Sequence, residues 1–280
     1  MIDIIKDTLM DSIKLIPFLF IAFLIIELVE HNFNNKSVTM ISKTKKLAPL
    51  FGGILGVFPQ CGFSLLATNL YITRIISVGT LVAIYLSTSD EMLPLMLLEK
   101  VNIMVIIKIL LIKIAIGILV GFAIDFILRN KKNKQENYEL CVDEHCDCNH
   151  HLIKSVFKHT INITIFIMVI TFVLNFLFYY IGLDNIKNIL TSNKILGVFI
   201  SGLIGLIPNC AASLTLTTLY INGILPLSNL MSGLLAGSGV ALLILFKYNK
   251  NLKENIYILS IIYGVGVVSG IIIELLGVVL

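Results

Sequence analysis

The chain has 280 residues, 57% hydrophobic and 14% charged, with a mean hydropathy of +0.96. Soluble domains carry about 25% charged residues, so this composition excludes an ordinary soluble domain and points to a polytopic membrane protein. The formal net charge of +4 sits in short loops, where Lys and Arg set membrane orientation; it is not a nucleic-acid signal. Apolar runs long enough to cross about 30 Å of hydrocarbon recur along the chain. They are continuous rather than alternating, which excludes an outer-membrane barrel and predicts helices. No G-x-x-x-x-G-K-S/T sequence occurs, so the chain has no phosphate-cradling loop of its own. A transporter built this way is secondary, or borrows an ATPase.

In chain order, residues 1–14 set Asp3, Asp7 and Asp11 against Lys6 and Lys14. A first helix is expected over about 11–30; its apolar run Leu15–Val29 lacks a small-residue cleavage site, so it reads as a retained span. Loop 31–46 holds Lys36, Lys43, Lys45 and Lys46. Segment 47–73 is interrupted at Pro59, since proline removes a helix hydrogen bond. Segment 75–98 is interrupted at Ser87-Thr88-Ser89-Asp90-Glu91 and at Pro94, and segment 102–128 carries Lys108, Lys113 and Asp125. Residues 129–151 are polar and rich in Cys and His. The second half repeats the plan. A helix runs from Lys158 to about Tyr180, and a loop holds Asp184, Lys187 and Lys194. A Pro208 segment covers 195–222, a segment broken at Gly237-Ser238-Gly239 covers 227–247, and a last helix covers 256–280.

The repeat has a register. Gly53, Gly56, Pro59, Cys61 and Ser64 recur as Gly202, Gly205, Pro208, Cys210 and Ser213, each 149 residues later, and Gly117, Gly121 and Asp125 recur as Gly266, Gly270 and Glu274. Three domains follow: a first transmembrane repeat over 1–128, a Cys/His-rich linker over 129–151 and a second transmembrane repeat over 152–280. The positive-inside rule puts loops 31–46, 129–134 and 247–254 in the cytoplasm. Loop 31–46 and the linker then share a side, which requires an even number of crossings between them. Four crossings fit if the interrupted stretches split into short helices. Each half would have five, the halves would be inverted, and the total would be ten, with the N-terminus outside; re-entrant hairpins are the rival. The expected fold class is thus all-α, with two inverted repeats of about five helices and broken helices at the centre.

Paired breaks in corresponding positions of two halves point to a transporter binding site. The candidate substrate-binding residues are Pro59, Gln60, Cys61 and Ser64 with Pro208, Asn209, Cys210 and Ser213. Two thiols suit a soft metal or metalloid, and a helix N-terminus following each cysteine favours the thiolate. Gln60, Asn209, Ser64 and Ser213 could add oxygen ligands. Acids in an apolar region are costly, about 3 kcal/mol each, so Asp90 and Glu91, with Ser89 and the matching Ser238, are candidates for proton or ion coupling; a solvated surface loop is the plainer reading of them. Asp125, Glu274 and Glu27 lie near helix ends and read as carboxylates reaching the interface, and Lys108 and Lys113 as snorkelling lysines. In the linker, Cys141, His145, Cys146, Cys148, His150 and His151 form a metal-ligating composition without zinc-finger spacing, so an exchangeable transition-metal site is expected there. Cytoplasmic thiols stay reduced, which argues against disulfides.

The sequences Phe58-Pro59-Gln60-Cys61-Gly62-Phe63-Ser64, Ser87-Thr88-Ser89-Asp90-Glu91-Met92-Leu93-Pro94 and Ile207-Pro208-Asn209-Cys210-Ala211-Ala212-Ser213, with the His/Cys linker followed by Lys158-His159-Thr160, resemble the ten-helix heavy-metal exporters, a family related to the arsenic permeases. The resemblance covers essentially the whole chain. It implies a bacterial inner-membrane exporter of a heavy metal or metalloid; manganese and organoarsenicals have both been attached to such proteins. The partners expected are the lipid bilayer and a metal or metalloid ion, with no nucleic acid, and a homo-oligomer left open. No enzyme activity and no resident cofactor beyond a linker-bound metal are expected. Two other functions stay open: a carrier of a harder divalent cation or organic anion through oxygen ligands, and a membrane thiol redox protein or sensor using Cys61 and Cys210.

Overall fold

The computed structural model describes residues 47–57, 61–89, 92–128 and 194–278, with scattered positions between 16 and 24 and between 157 and 190. Among these residues the chain is all-helical. The helices are α1 (Ala48–Leu55), α2 (Cys61–Ile72), α3 (Val78–Ser87), α4 (Met92–Leu98), α5 (Ile103–Leu128), α6 (Lys194–Gly205), α7 (Cys210–Ile221), α8 (Leu227–Ala236), α9 (Ala241–Tyr248) and α10 (Leu252–Leu276). The first residues of α2 and α7, α3 and α8, α4 and α9, and α5 and α10 are each 149 apart, the register read from the motifs.

Local chemistry sets the ends. Ser77 precedes α3 and its hydroxyl accepts from Thr80 N at 3.1 Å. Asn209 caps α7 by accepting from Ala211 N at 3.3 Å. Such caps satisfy N–H groups that have no partner inside the helix. Gly277 ends α10 in the left-handed conformation, φ 61°, which a glycine adopts without steric cost.

Four stretches of the described residues are long and apolar enough to cross a membrane: Val78–Leu98 (α3 with α4), Ile103–Leu128 (α5), Leu227–Tyr248 (α8 with α9) and Leu252–Leu276 (α10). They are arranged from the inside out. Every residue of α3 and of α8 is buried, and the two helices pack on each other at the centre. The helices α5 and α10 lie against them and expose Leu111, Leu119 and Phe126, and Val268, Ile272 and Leu275. A water-facing surface rarely carries so continuous an apolar band; it suits lipid tails.

Close backbone approaches fix the directions. A β-carbon on Gly52 would touch Thr80 and Ile84, and one on Gly56 would collide with Ser87, so α1 runs parallel to α3. Gly121 lies against Gly79 and Gly117 against Ala83, so α5 runs antiparallel to α3. The second half repeats this. Gly197 meets Asn229 and Gly205 meets Gly233, while Gly270 meets Ser228 and Gly266 meets Ser232. Across the halves, α2 packs on α9 and α7 packs on α4.

Candidate functional site

The P-x-C motif of the second half falls between two described helices. In the second half, α6 ends at Gly205, the chain bends through 206–209, and α7 starts at Cys210. In the first half α1 ends at Leu55 and α2 starts at Cys61; Pro59 and Gln60 lie outside the described residues. Each cysteine is therefore the first residue of a helix, where backbone N–H groups lack intrahelical partners. The side chains of Cys61 and Cys210 are likewise outside the description. Of the other candidates, Ser64 is buried at 1% exposure, Asn209 is buried and holds its cap, and Pro208 and Ser213 are half-buried. A hydrogen bond of 2.6 Å between Thr68 and the Tyr85 hydroxyl joins α2 to α3. The glycine at the end of each preceding helix matters here: Gly56 abuts Ser87, and Gly205 abuts Gly233. The ends of α1 and α6 thus sit beside the C-terminal ends of the two central helices.

Those C-terminal ends form the second part of the site. After α3, Ser87, Thr88 and Ser89 are all buried. Ser87 Oγ donates to Ala83 O at 2.9 Å, Thr88 Oγ1 to Ile84 O at 2.8 Å, and Ser89 Oγ to Ser87 O at 3.3 Å. After α8, Ser238 is 1% exposed and its hydroxyl has no partner among the described residues. Asp90 and Glu91 lie outside the described residues. Lys113 corrects the snorkelling expectation: its side chain is 0% exposed, and its ammonium donates to Thr88 O and, at 3.2 Å, to Leu234 O. The reason is local. Carbonyls in the last turn of a helix lack intrahelical partners and carry partial negative charge. A cation reaching them from α5 is held inside rather than drawn to the interface. Lys108, on the same helix, is exposed. Lys113 was not a site candidate in the sequence, because nothing in an unbroken apolar run says which face of the helix points inward.

Two other polar groups have structural roles. Asp125 accepts from Ser77 Oγ at 2.6 Å and from Gly79 N at 3.0 Å, and Glu274 accepts from Ser228 Oγ at 2.6 Å. The duplicated acids, both half-buried near the ends of their own helices, close the N-terminal ends of α3 and α8. Arg74 and Glu254 form a bidentate pair between the halves at 2.9 and 3.0 Å. The Arg74 guanidinium also stacks on the Tyr71 ring, 5.3 Å from its centroid. The register places Gly223 and Val105 opposite them, so the pair has no counterpart. Among the described residues no group of three or more His, Cys, Asp or Glu gathers as a metal site. The linker candidates Cys141, His145, Cys146, Cys148, His150 and His151 are outside them.

Comparison with known families places this arrangement. A family model described as "Putative, 10TM heavy-metal exporter" matches residues 1–147, 126–247 and 166–278. The chain belongs to this family. The matched regions overlap and together run across both halves, so membership rests on the whole chain and not on one motif. The four stretches long and apolar enough to cross a membrane are in keeping with export. Neither a search of curated proteins nor one of solved structures finds a match.

Proposed function

We propose that the protein is a secondary transporter that exports a soft metal or metalloid ion, and that its cargo site is formed between the halves by the two P-x-C turns. The observation that carries this reading is the cross-packing. The cysteine-bearing helix of each half lies on the other half, α2 on α9 and α7 on α4. The helices that begin at Cys61 and Cys210 therefore border a boundary that alternating access must open and close. Cys61 and Cys210 would supply thiolate ligands, with Gln60, Ser64, Asn209 and Ser213 beside them and Pro59 and Pro208 holding the turns open.

The topology we infer is a pair of inverted repeats. Glu274, near one end of α10, meets the start of α8. Glu254, near the other end, meets Arg74 in the turn before α3. With 25 residues, α10 is about 37 Å long, so α3 and α8 start from opposite faces and their C-terminal ends meet between them. Eight residues in α1 and 12 in α2 give about 12 and 18 Å. Neither reaches across about 30 Å of hydrocarbon. In our reading α1 and α2, like α6 and α7, form re-entrant hairpins. Each half then has five apolar segments but three crossings, still an odd number. Arg74, Lys250 and Lys253 fall on one face, which the positive-inside rule makes cytoplasmic, and loop 31–46 and the linker are proposed to share that side. A bacterial inner membrane, a linker collecting metal on the cytoplasmic side, and proton exchange at Asp90 or Glu91 near Ser89 and Ser238 complete the proposal.

The test is a sensitivity profile. Cells lacking the protein are exposed to cadmium, zinc, manganese, arsenite and methylarsenite, then complemented with the wild type or with Cys61→Ser. Hypersensitivity to a thiophilic species that Cys61→Ser fails to relieve supports the reading. Sensitivity to manganese alone, relieved by Cys61→Ser, supports oxygen ligation instead, which the buried polar row of Ser64, Thr68, Asn69 and Thr217 would favour.

A further inference from the structure

We infer that Lys113 is a built-in cation of the central site, occupying with its own ammonium the place between two helix ends that a free cation fills in other discontinuous-helix carriers. The geometry has three parts. First, α3 and α8 end in the protein interior, and carbonyls from their final turns, Thr88 O and Leu234 O, converge on one Nζ. Last-turn carbonyls of a helix carry partial negative charge and have no intrahelical donor, and such ends coordinate sodium or protons in transporters with broken helices. Second, the carbonyls come from different halves while the lysine comes from the first half, so one ammonium links the two bodies that must move. Third, the position is asymmetric. The residue 149 positions after Lys113 is Ile262, and one cation suffices because both helix ends reach it. A buried hydroxyl without a partner among the described residues, Ser238 Oγ, stands just after α8.

Burying a charge is costly unless its hydrogen bonds are met, and a lysine in an apolar helix would otherwise be removed to the interface. Its retention at 0% exposure is explained if the two carbonyl ends require a positive charge. On α3 the ionisable side chain is Tyr85, whose hydroxyl is bonded to Thr68; Asp90 and Glu91 follow Ser89 in sequence and lie outside the described residues. The consequence for transport is that this place needs no sodium ion: the charge is tethered, and it stays with the protein through the cycle. The inference concerns the protein's own charge balance and holds whichever cargo the P-x-C turns bind.

The experiment is cation rescue of purified protein in detergent. Thermal unfolding is followed in chloride salts of choline, sodium, potassium, ammonium and methylammonium for the wild type, Lys113→Met and Lys113→Arg. The wild type and Lys113→Arg should melt at the same temperature in every salt. Lys113→Met should melt lower in choline chloride and recover, saturably, with at least one small cation, as binding to the folded state alone requires. Lys113→Gln, whose amide keeps two donors, should show the same dependence in weaker form. A Lys113→Met protein as stable as wild type in choline, or destabilised with no response to any cation, would overturn the inference. So would a small-cation dependence in Lys113→Arg, or failure of both Met and Gln variants to yield folded protein in every salt.

Discussion

Asp125 and Glu274 show how a pair of acids in apolar helices can be structural. Each lies on a long outer helix and accepts hydrogen bonds at the start of a central one. Two charge-assisted bonds meet Asp125, and net values for such bonds are about 1.5–3 kcal/mol each. Asp125→Ala should therefore lower the melting temperature of the purified protein, by a few kcal/mol of stability, without changing which ion is carried. Asp125→Asn should lose less, because its amide oxygen still accepts from Gly79 N. At this scale the sequence was partly legible. The register paired Asp125 with Glu274, but pairing does not say what an acid bonds to. Lys113 was not legible at all: α5 is apolar on every side, so no periodicity marks its inner face, and only the convergence of two helix ends from distant parts of the chain reveals the role.

At the scale of elements, some helix ends were legible and the path of the chain was not. Pro208 and Gly237-Ser238-Gly239 fall between described helices, where proline removes a backbone bond and small hydroxyl residues compete for others; Pro94, read as a break, lies inside α4, and Pro59, Asp90 and Glu91 lie outside the described residues. Hydropathy counts apolar length. Segment 47–73 is long enough to cross once, and nothing in its composition distinguishes a crossing from a hairpin that turns back. The glycines carry the missing information, since they record where backbones touch. A side chain at Gly205 would collide with Gly233 O, so Gly205→Val should drive α6 and α8 apart and cost at least about 1–3 kcal/mol, the usual scale for overpacking. Gly264 has nothing within 4 Å of a β-carbon. Gly264→Ala should be tolerated or stabilising by up to about 1 kcal/mol. Thermal unfolding of the two variants side by side checks the contrast.

For the whole molecule, two halves pack on each other through their central helices. The Arg74–Glu254 pair joins them on one face, and its counterpart positions, Gly223 and Val105, cannot form an ion pair. The face with the pair should therefore be the harder one to open. The pair is partly exposed, at 33% and 19%, so its coupling in a double-mutant cycle of Arg74→Ala and Glu254→Ala should be on the order of 1 kcal/mol. Either single change should raise the reactivity of cysteines introduced beside the turn at 73–77 toward a membrane-impermeant maleimide. The most direct test of the shared site is the flux of the thiophilic ion selected by the sensitivity profile, measured in proteoliposomes for wild type, Cys61→Ser, Cys210→Ser and the double variant. Residues that serve one site are non-additive, so each single change should abolish most of the flux and the double should be no worse than either. Two single variants with near-normal flux, or a double whose loss equals the sum of two partial losses, would contradict a cargo site built by both halves together.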